Sequence, residues 1–454
     1  MKDFFLNMEG FERDILQELN LWAEKKQRKP LVLRGARQVG KTSVVSTFGK
    51  QFDNYLYVNL EKRVFLSLFE QSQSVDQILM QIFAILEKTQ KEGRTLLFLD
   101  EIQNSAAAIQ MLRYFYEERP DIYVIAAGSL LETLVNVHVS FPVGRVEYMA
   151  MRPVSFREFL AANGNVMLRQ YIEQQSPEST VALHEKLITE FRNYALVGGM
   201  PEVVQHFVNE HNLPSLNTIY ETLLRGYKDD VEKYASNKTQ AQVIRFLIDK
   251  GWTEMSKIIS LGNFAGSSYK AREVGEAFRV MERAMLLELV YPNSDTEIPL
   301  IPQLSRSPKL LWLDIGLANY AAGAQKDALL ATDLLDVWRG AVAEQLVAQE
   351  LLTLTNSVDG HRNFWSRLKS DAEVDFEYIY EGEVIPVEVK AGHNAHLRSL
   401  HEFMDASKGN LAVRVWSRPF QIDSVKTNKG KIFTLINLPF YLIGCLPTIL
   451  KSKL

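Results

Sequence analysis

The sequence predicts an α/β protein in three parts: a parallel-sheet domain, a mainly helical middle, and a second α/β domain at the end. Three observations carry this. Short apolar runs alternate with helical stretches from Leu31 to Ala127. After Pro153 the pattern turns helical and stays so to about Lys250. Beyond Asp333 a helix, paired strands, another helix and further strands follow. The expected domains are 1–165, 166–325 and 326–454, as a length prior of about 150 residues per domain suggests.

The first part reads in order. Ile15, Leu16, Leu19 and Trp22 share a helical face. Leu31-Val32-Leu33 after Pro30 is a buried strand, followed by a glycine-bearing loop and a helix from Ser43. Tyr55–Val58, Thr95–Leu99 and Ile122–Ala127 are further strands, with helices over Val75–Lys88 and Ile109–Glu118. In the middle, Ser268–Leu289 reads as one helix of a helix-turn-helix unit, with Leu287–Tyr291 as a wing strand. The last part opens with a helix over Trp338–Leu352.

Composition narrows the class. The 454 residues are 46% hydrophobic and 23% charged, which excludes a disordered chain. Basic and acidic residues, 51 against 55, leave a net charge of −4 and exclude a uniformly basic nucleic-acid coat, though not a local patch. The one cysteine, Cys445, excludes an intrachain disulfide and a cysteine zinc site and fits a reducing, cytoplasmic setting. Residues 1–10 carry Asp3 and Glu9 and do not read as a secretory signal. Ile432–Leu450 is uncharged, but Pro439, Gly444 and Pro447 make it a buried strand, a turn and a terminal strand, not a membrane span.

The chemistry starts at Gly35-Ala36-Arg37-Gln38-Val39-Gly40-Lys41-Thr42, which fits G-x-x-x-x-G-K-[ST] between a strand and a helix. Glycines let a loop wrap phosphate oxygens with inward N–H groups, and the helix adds its positive end. These residues and Ser43 are the expected ATP contacts, with Lys41 on the β and γ phosphates and Thr42 on Mg2+. Leu96–Leu99 ends in Asp100-Glu101. A strand tip beside the loop would put Asp100 on the magnesium shell and Glu101 against the attacking water as general base. Ser129, after Gly128, could sense the γ-phosphate; a turn serine is the alternative. Arg145 could neutralise transition-state charge in its own site or a neighbour's; a surface arginine is the alternative.

Near the end of the chain, Glu373–Tyr380 and Glu383–Lys390 flank Glu381-Gly382, the pattern of a hairpin with a two-residue turn. Tyr380 then faces Glu383, Asp375 faces Glu388, and Glu373 faces Lys390. Alternation puts Val374, Phe376, Tyr378, Ile385, Val387 and Val389 on one face and Asp375, Glu377, Glu388 and Lys390 on the other. Opposed carboxylates repel, and a divalent cation on their oxygens relieves this. Asp375 and Glu388 are therefore candidate Mg2+ ligands, with Lys390 placed to orient water or stabilise a phosphate. The bland alternative is a solvated, charge-laced hairpin face with Lys390 paired to an acid. His393, His396 and His401 read as a solvated helix start.

Several of these stretches resemble a known family. They are Leu33–Thr42, Asp100-Glu101-Ile102-Gln103, Gly128-Ser129, Gly144-Arg145, Pro153-Val154-Ser155-Phe156-Arg157-Glu158-Phe159 and Gly198-Gly199-Met200-Pro201. Together they resemble the prokaryotic AAA+-type ATPases fused to a C-terminal domain of unknown function. The resemblance implies a P-loop ATPase core, a winged-helix-like middle and a restriction-endonuclease-like end. Asp375 with Glu388-Val389-Lys390 resembles the PD-(D/E)XK nuclease signature, although Val374 stands where that signature has proline. That family also places a glutamate on a preceding helix. Glu344, among Gly340, Ala341, Val347 and Ala348, fits, and Glu350 also has apolar neighbours.

Lys270, Arg272, Arg279 and Arg283 give the middle helix a basic side that could meet DNA, although Glu273, Glu276, Glu282 and Glu288 interrupt it. Two functions are expected in competition. One is an ATP-dependent enzyme acting on DNA. The other is a nucleotide-gated switch or assembly protein, self-associating or capturing a protein partner, whose carboxylate cluster is structural.

Overall fold

The computed structural model describes residues 11–71, 74–128, 142–323, 340–368, 372–390 and 397–453. The chain forms two compact units. One takes in residues up to Arg152 with Arg283–Met285 and Asn356–Asp359; the other takes in Pro153–Glu282, Leu286–Thr355 and the chain from Gly360 on.

In the first unit, five strands form one sheet: β1 (Leu31–Arg34), β2 (Asn54–Asn59), β3 (Thr95–Asp100), β4 (Tyr123–Gly128) and β5 (Glu147–Ala150). Their order is β2-β3-β4-β1-β5, all parallel. Every residue of β3 is buried, as a central parallel strand covered on both faces requires. One layer of the core joins Val32, Val58, Leu97 and Leu99 to the Val75–Ile85 and Ala106–Glu118 helices. Because the strands are parallel, all their carboxyl ends lie along one edge of the sheet, where open α/β sheets bind ligands. The loop after β1 and the acids ending β3 meet there.

In the second unit, helices fill the chain from Phe156 to Lys250. Next come a helix over Ala271–Arg283 and two antiparallel strands, β6 (Leu287–Val290) and β8 (Lys309–Trp312). The helix expected over Ser268–Leu289 is thus shorter. Met285 turns through a φ of 58°, a left-handed conformation that breaks the helix and sends Leu287–Val290 into a strand. Seven strands make a mixed sheet: β7 (Pro292–Asn293), β9 (Asn363–Ser366), β10 (Glu373–Tyr380), β11 (Glu383–Lys390), β12 (Leu411–Trp416), β13 (Gln421–Lys426) and β14 (Ile432–Pro439). Their order is β13-β14-β12-β11-β10-β9-β7.

The β10–β11 hairpin has the register read from the sequence over Phe376↔Val387 to Tyr380↔Glu383. Glu381 and Gly382 both take positive φ, 48° and 86°, as a two-residue turn of this kind needs. The terminal strand expected after Pro439 is instead a 3-10 turn and a helix, Leu446–Lys451, with Pro447 in its first turn, where its missing N–H costs nothing. Among the described residues, no helix is long and apolar enough to cross a membrane.

Candidate functional site

The loop between β1 and the Lys41–Gly49 helix uses its glycines for different reasons. Gly40 sits at φ 93° and Gln38 at φ 66°, a left-handed alternation that turns successive N–H groups inward. Gly35 is required by packing: a Cβ there would stand 2.7 Å from the Met151 carbonyl oxygen. Lys41 is buried, and its ammonium donates to the carbonyls of Gly35 (2.8 Å) and Ala36 (2.9 Å). Burial pushes this ammonium down to about 8, with Glu101 and Asp100 opposing the shift.

Thr42 Oγ1 donates to Asp100 Oδ2 at 2.9 Å, so the loop and the acid strand meet as the motifs implied. Asp100 also accepts from Tyr57 Oη (3.1 Å), and its Oδ1 accepts the Glu101 N–H (3.1 Å). Burial raises the Asp100 carboxyl, and the Thr42 hydrogen bond offsets part of that. Side-by-side hydroxyl and carboxylate oxygens are the hard donors Mg2+ takes. Glu101 adopts φ 55°, a strained setting for a residue with a side chain, and Gln103 Nε2 donates to its Oε2 at 2.5 Å.

Sequence reasoning assigned no role to Tyr57 or Arg13, and it read Gln103 only as part of the Asp100-Glu101-Ile102-Gln103 stretch. Buried Arg13 ties the loop to the segment after β5, donating to Val39 O (3.2 Å) and Arg152 O (2.8 Å). A lone arginine ahead of a helix carries no pattern that would reveal this.

Arg145 needs a correction. It lies two residues before Glu147, which pairs with Leu31 at the start of β1, whereas the phosphate loop follows Arg34 at the other end. Its guanidinium pairs with Glu117 at 2.9 Å. Arg145 therefore stands at the sheet edge opposite the nucleotide loop and cannot serve this chain's own nucleotide. Ser129 lies outside the described residues, as do His393 and His396.

The C-terminal acids do come together, with two changes. The β10–β11 ladder runs from Tyr380↔Glu383 to Phe376↔Val387, and the β9–β10 register shifts between Val374 and Glu377. Asp375 is thus not held opposite Glu388 by the ladder; its Oδ2 accepts the Val389 N–H at 2.7 Å. The Glu373 side chain pairs with Lys309. Lys390 pairs with Glu388 at 2.5 Å. That pairing is what the charge-laced-face alternative expected of Lys390, but the face is not solvated, because Glu377 and Glu388 are 5% and 3% exposed. Glu377 accepts from Asn293.

Helix Ala341–Thr353 brings Glu344 to the same place: carboxylate oxygens of Glu344, Glu373 and Asp375 lie within 4.8 Å of one another. Lys309, which the sequence reading missed, joins them from β8. It is 1% exposed and contacts Glu344 as well as Glu373 (2.7 Å). Burial alone would lower its ammonium, but Glu344, Glu373 and Asp375 together hold it above the ordinary lysine value. Burial pushes Glu388 up to about 8, Asp375 adding to the effect and Lys390 opposing it.

Glu350, the rival to Glu344, has a different task. It faces a buried hub where the Pro153–Phe159 and Gly198–Pro201 stretches meet. Its Oε1 accepts from Phe156 N (2.9 Å) and Tyr194 Oη (2.8 Å). Val154 N donates to Gly199 O (2.7 Å), and Gly199 N donates to Asp314 Oδ2 (2.5 Å). Both glycines are needed for close approach: a Cβ on Gly198 would lie 2.5 Å from Asp314 Oδ1, and one on Gly199 2.3 Å from Val154 O.

Comparison with known proteins divides along the chain. Residues 27–160 match the model of a family described as AAA domain. Residues 188–328 and 339–441 match families described as domains of unknown function, DUF8612 and DUF4143. No curated protein matches. Among solved structures, the Walker-type ATPase of Pyrococcus abyssi is similar at 13% identity over 70% of this chain and 97% of that one, with a TM-score of 0.42. The ORC1 protein of Aeropyrum pernix in complex with DNA aligns at 13% over 70% and 92%, TM-score 0.26. AMPPCP-bound DnaA of Aquifex aeolicus aligns at 10% over 60% and 87%, TM-score 0.27. With TM-scores this low, the assignment rests on the family model and on the chain's own parallel sheet, phosphate loop and acid-tipped strand. On those grounds the first unit has an AAA-type, P-loop ATPase-like fold.

Proposed function

We propose that the chain binds and hydrolyses Mg-ATP in its first unit and uses the cycle to act on nucleic acid through the second. The observation that carries this is the Thr42–Asp100 hydrogen bond beside the Lys41-closed loop. It puts phosphate-binding amides, a lysine and hard oxygen donors at one sheet edge.

Lys41 exchanges its two carbonyl partners for β and γ phosphate oxygens, which frees the loop to close on the triphosphate. The inward N–H groups of Gly35–Gly40 take the remaining phosphate oxygens. Thr42 and Asp100 would hold Mg2+, which neutralises phosphate charge when bound. Glu101, held by Gln103, acts as general base toward water. Arg145, facing away from its own loop, acts only toward the nucleotide of a neighbouring copy, which makes the active form a homo-oligomer. No membrane partner is invoked, and the setting is cytoplasmic.

In the second unit, the order helix, bridge at Ile258, helix, β6, β8 supports a winged-helix reading, with Lys270, Arg272, Arg279 and Arg283 toward DNA. The helix, β9–β10–β11 meander, helix and parallel β12 support a restriction-endonuclease-like reading. There Asp375, Glu388 and Glu344 would hold Mg2+ and Lys390 would assist cleavage. A second reading, a nucleotide-gated switch with a non-cleaving cluster, is favoured by Lys309, which already pairs with two of the acids.

Calorimetry with Mg-ATP tests the first half: heat of association is expected, lost in Lys41→Ala. Glu101→Gln should bind ATP and turn it over poorly. ATP turnover with single-stranded, double-stranded and branched DNA tests the second half. Acceleration by DNA together with Mg2+-dependent cutting that Asp375→Ala abolishes supports the enzyme. No acceleration and no cutting, with ATP-dependent self-association, supports the switch.

A further inference from the structure

Lys309 poses a question that the nuclease-like reading does not answer. A lysine 1% exposed is costly to hold charged unless acids surround it, and an aliphatic side chain would fill the same space without that cost. Its ammonium touches Glu344 and Glu373, with the Phe364 ring centroid 4.6 Å away. Those two acids and Asp375 converge within 4.8 Å, the oxygen-rich donor set a hard divalent cation takes. The cation and its acids come from different elements. Lys309 is on β8, paired with β6 shortly after the Ala271–Arg283 helix, while the acids are on Ala341–Thr353 and β10. Lys390 is engaged elsewhere, with Glu388, whose buried Oε2 has no hydrogen-bond partner among the described residues and so remains available to a cation.

We propose that Lys309 is a built-in counter-ion that occupies the divalent-cation position of the Glu344–Glu373–Asp375 cluster and must be withdrawn before Mg2+ or Mn2+ binds there. This rests on the reading of the cluster as a cation site. It adds Glu373 to the ligand set and makes β8 the element that opens or closes the site. A displacement of β8 removes one positive charge and a divalent ion brings two. The resting cluster is thus neutralised enough to fold, yet holds no metal.

The test is Mn2+ binding to the full chain without nucleotide or DNA, followed by calorimetry and by the paramagnetic resonance of free Mn2+. The wild type should bind weakly. Lys309→Met should bind at least about tenfold more tightly, the effect of removing a competing buried charge. Adding Asp375→Asn should erase the gain, and Lys309→Arg, which keeps the charge, should stay weak. Tight wild-type binding that disappears in Asp375→Asn overturns the proposal while leaving the cation-site reading intact, and it decides the matter even if Lys309→Met does not fold. A folded Lys309→Met chain with no Asp375-dependent binding overturns both.

Discussion

Replacing Glu350 by glutamine should change how stability depends on pH. Glu350 is fully buried, and burial raises its carboxyl from 4.5 to about 7 against the opposing hydrogen bonds from Phe156 and Tyr194. Between 4.5 and about 7 the folded chain keeps a proton that the unfolded chain has released. Stability therefore falls as pH rises through that window, then levels off above it. At about 1.4 kcal/mol per pH unit, the difference corresponds to on the order of 3 kcal/mol lost by pH 8.

Glutamine keeps an oxygen to accept from Phe156 N and Tyr194 Oη and never ionises. Calorimetric melting from pH 5 to pH 8 should show the two proteins together at the acid end. At the basic end the variant should melt higher by several degrees, since about 1 kcal/mol moves the midpoint of a unit of roughly 300 residues by about 1–2 °C. Asp314, raised by burial to about 6, pushes in the same direction but is present in both proteins and cancels in the comparison. Parallel melting curves across the range would refute the assignment of Glu350 as an acid whose desolvation outweighs its hydrogen bonds.

Four further outcomes follow from named contacts. ATP binding near pH 8 should take up about half a proton per site, because Lys41 is about half deprotonated there before phosphate arrives; calorimetry in buffers of different ionisation enthalpy reads it, and equal heats would count against it. Affinity for ATP should then weaken as pH rises above about 8, well before an ordinary lysine titrates. Gly199→Ala should destabilise the second unit by about 2 kcal/mol or more, since its Cβ would stand 2.3 Å from a backbone oxygen with no room to yield; a denaturant midpoint equal to wild type would contradict this. Gln103→Ala should lower kcat about tenfold while leaving KM for ATP nearly unchanged, because it orients Glu101 without touching the phosphate loop; steady-state kinetics separates the two parameters.

The sequence by itself determined the local features whose physics is short-range. The phosphate loop needs glycines and a lysine at fixed spacing, so the eight residues from Gly35 to Thr42 declare it. The β10–β11 register follows from a two-residue turn and alternation, and five cross-strand pairs have the partners read from the chain. Only the tertiary structure decided what depends on distant partners. Glu344 and Glu350 both sit among apolar neighbours on one helix, and spacing could not separate them. Packing sends one to Lys309, and the other to Phe156 and Tyr194. Arg145 follows a glycine in either case, but only the sheet order reveals that it starts from the edge away from the loop. Lys309 lies 35 residues from Glu344, and no local pattern marks a lysine that will be desolvated. Desolvation and ion pairing are set by what the rest of the chain places around a side chain, so they are decided only when the fold closes.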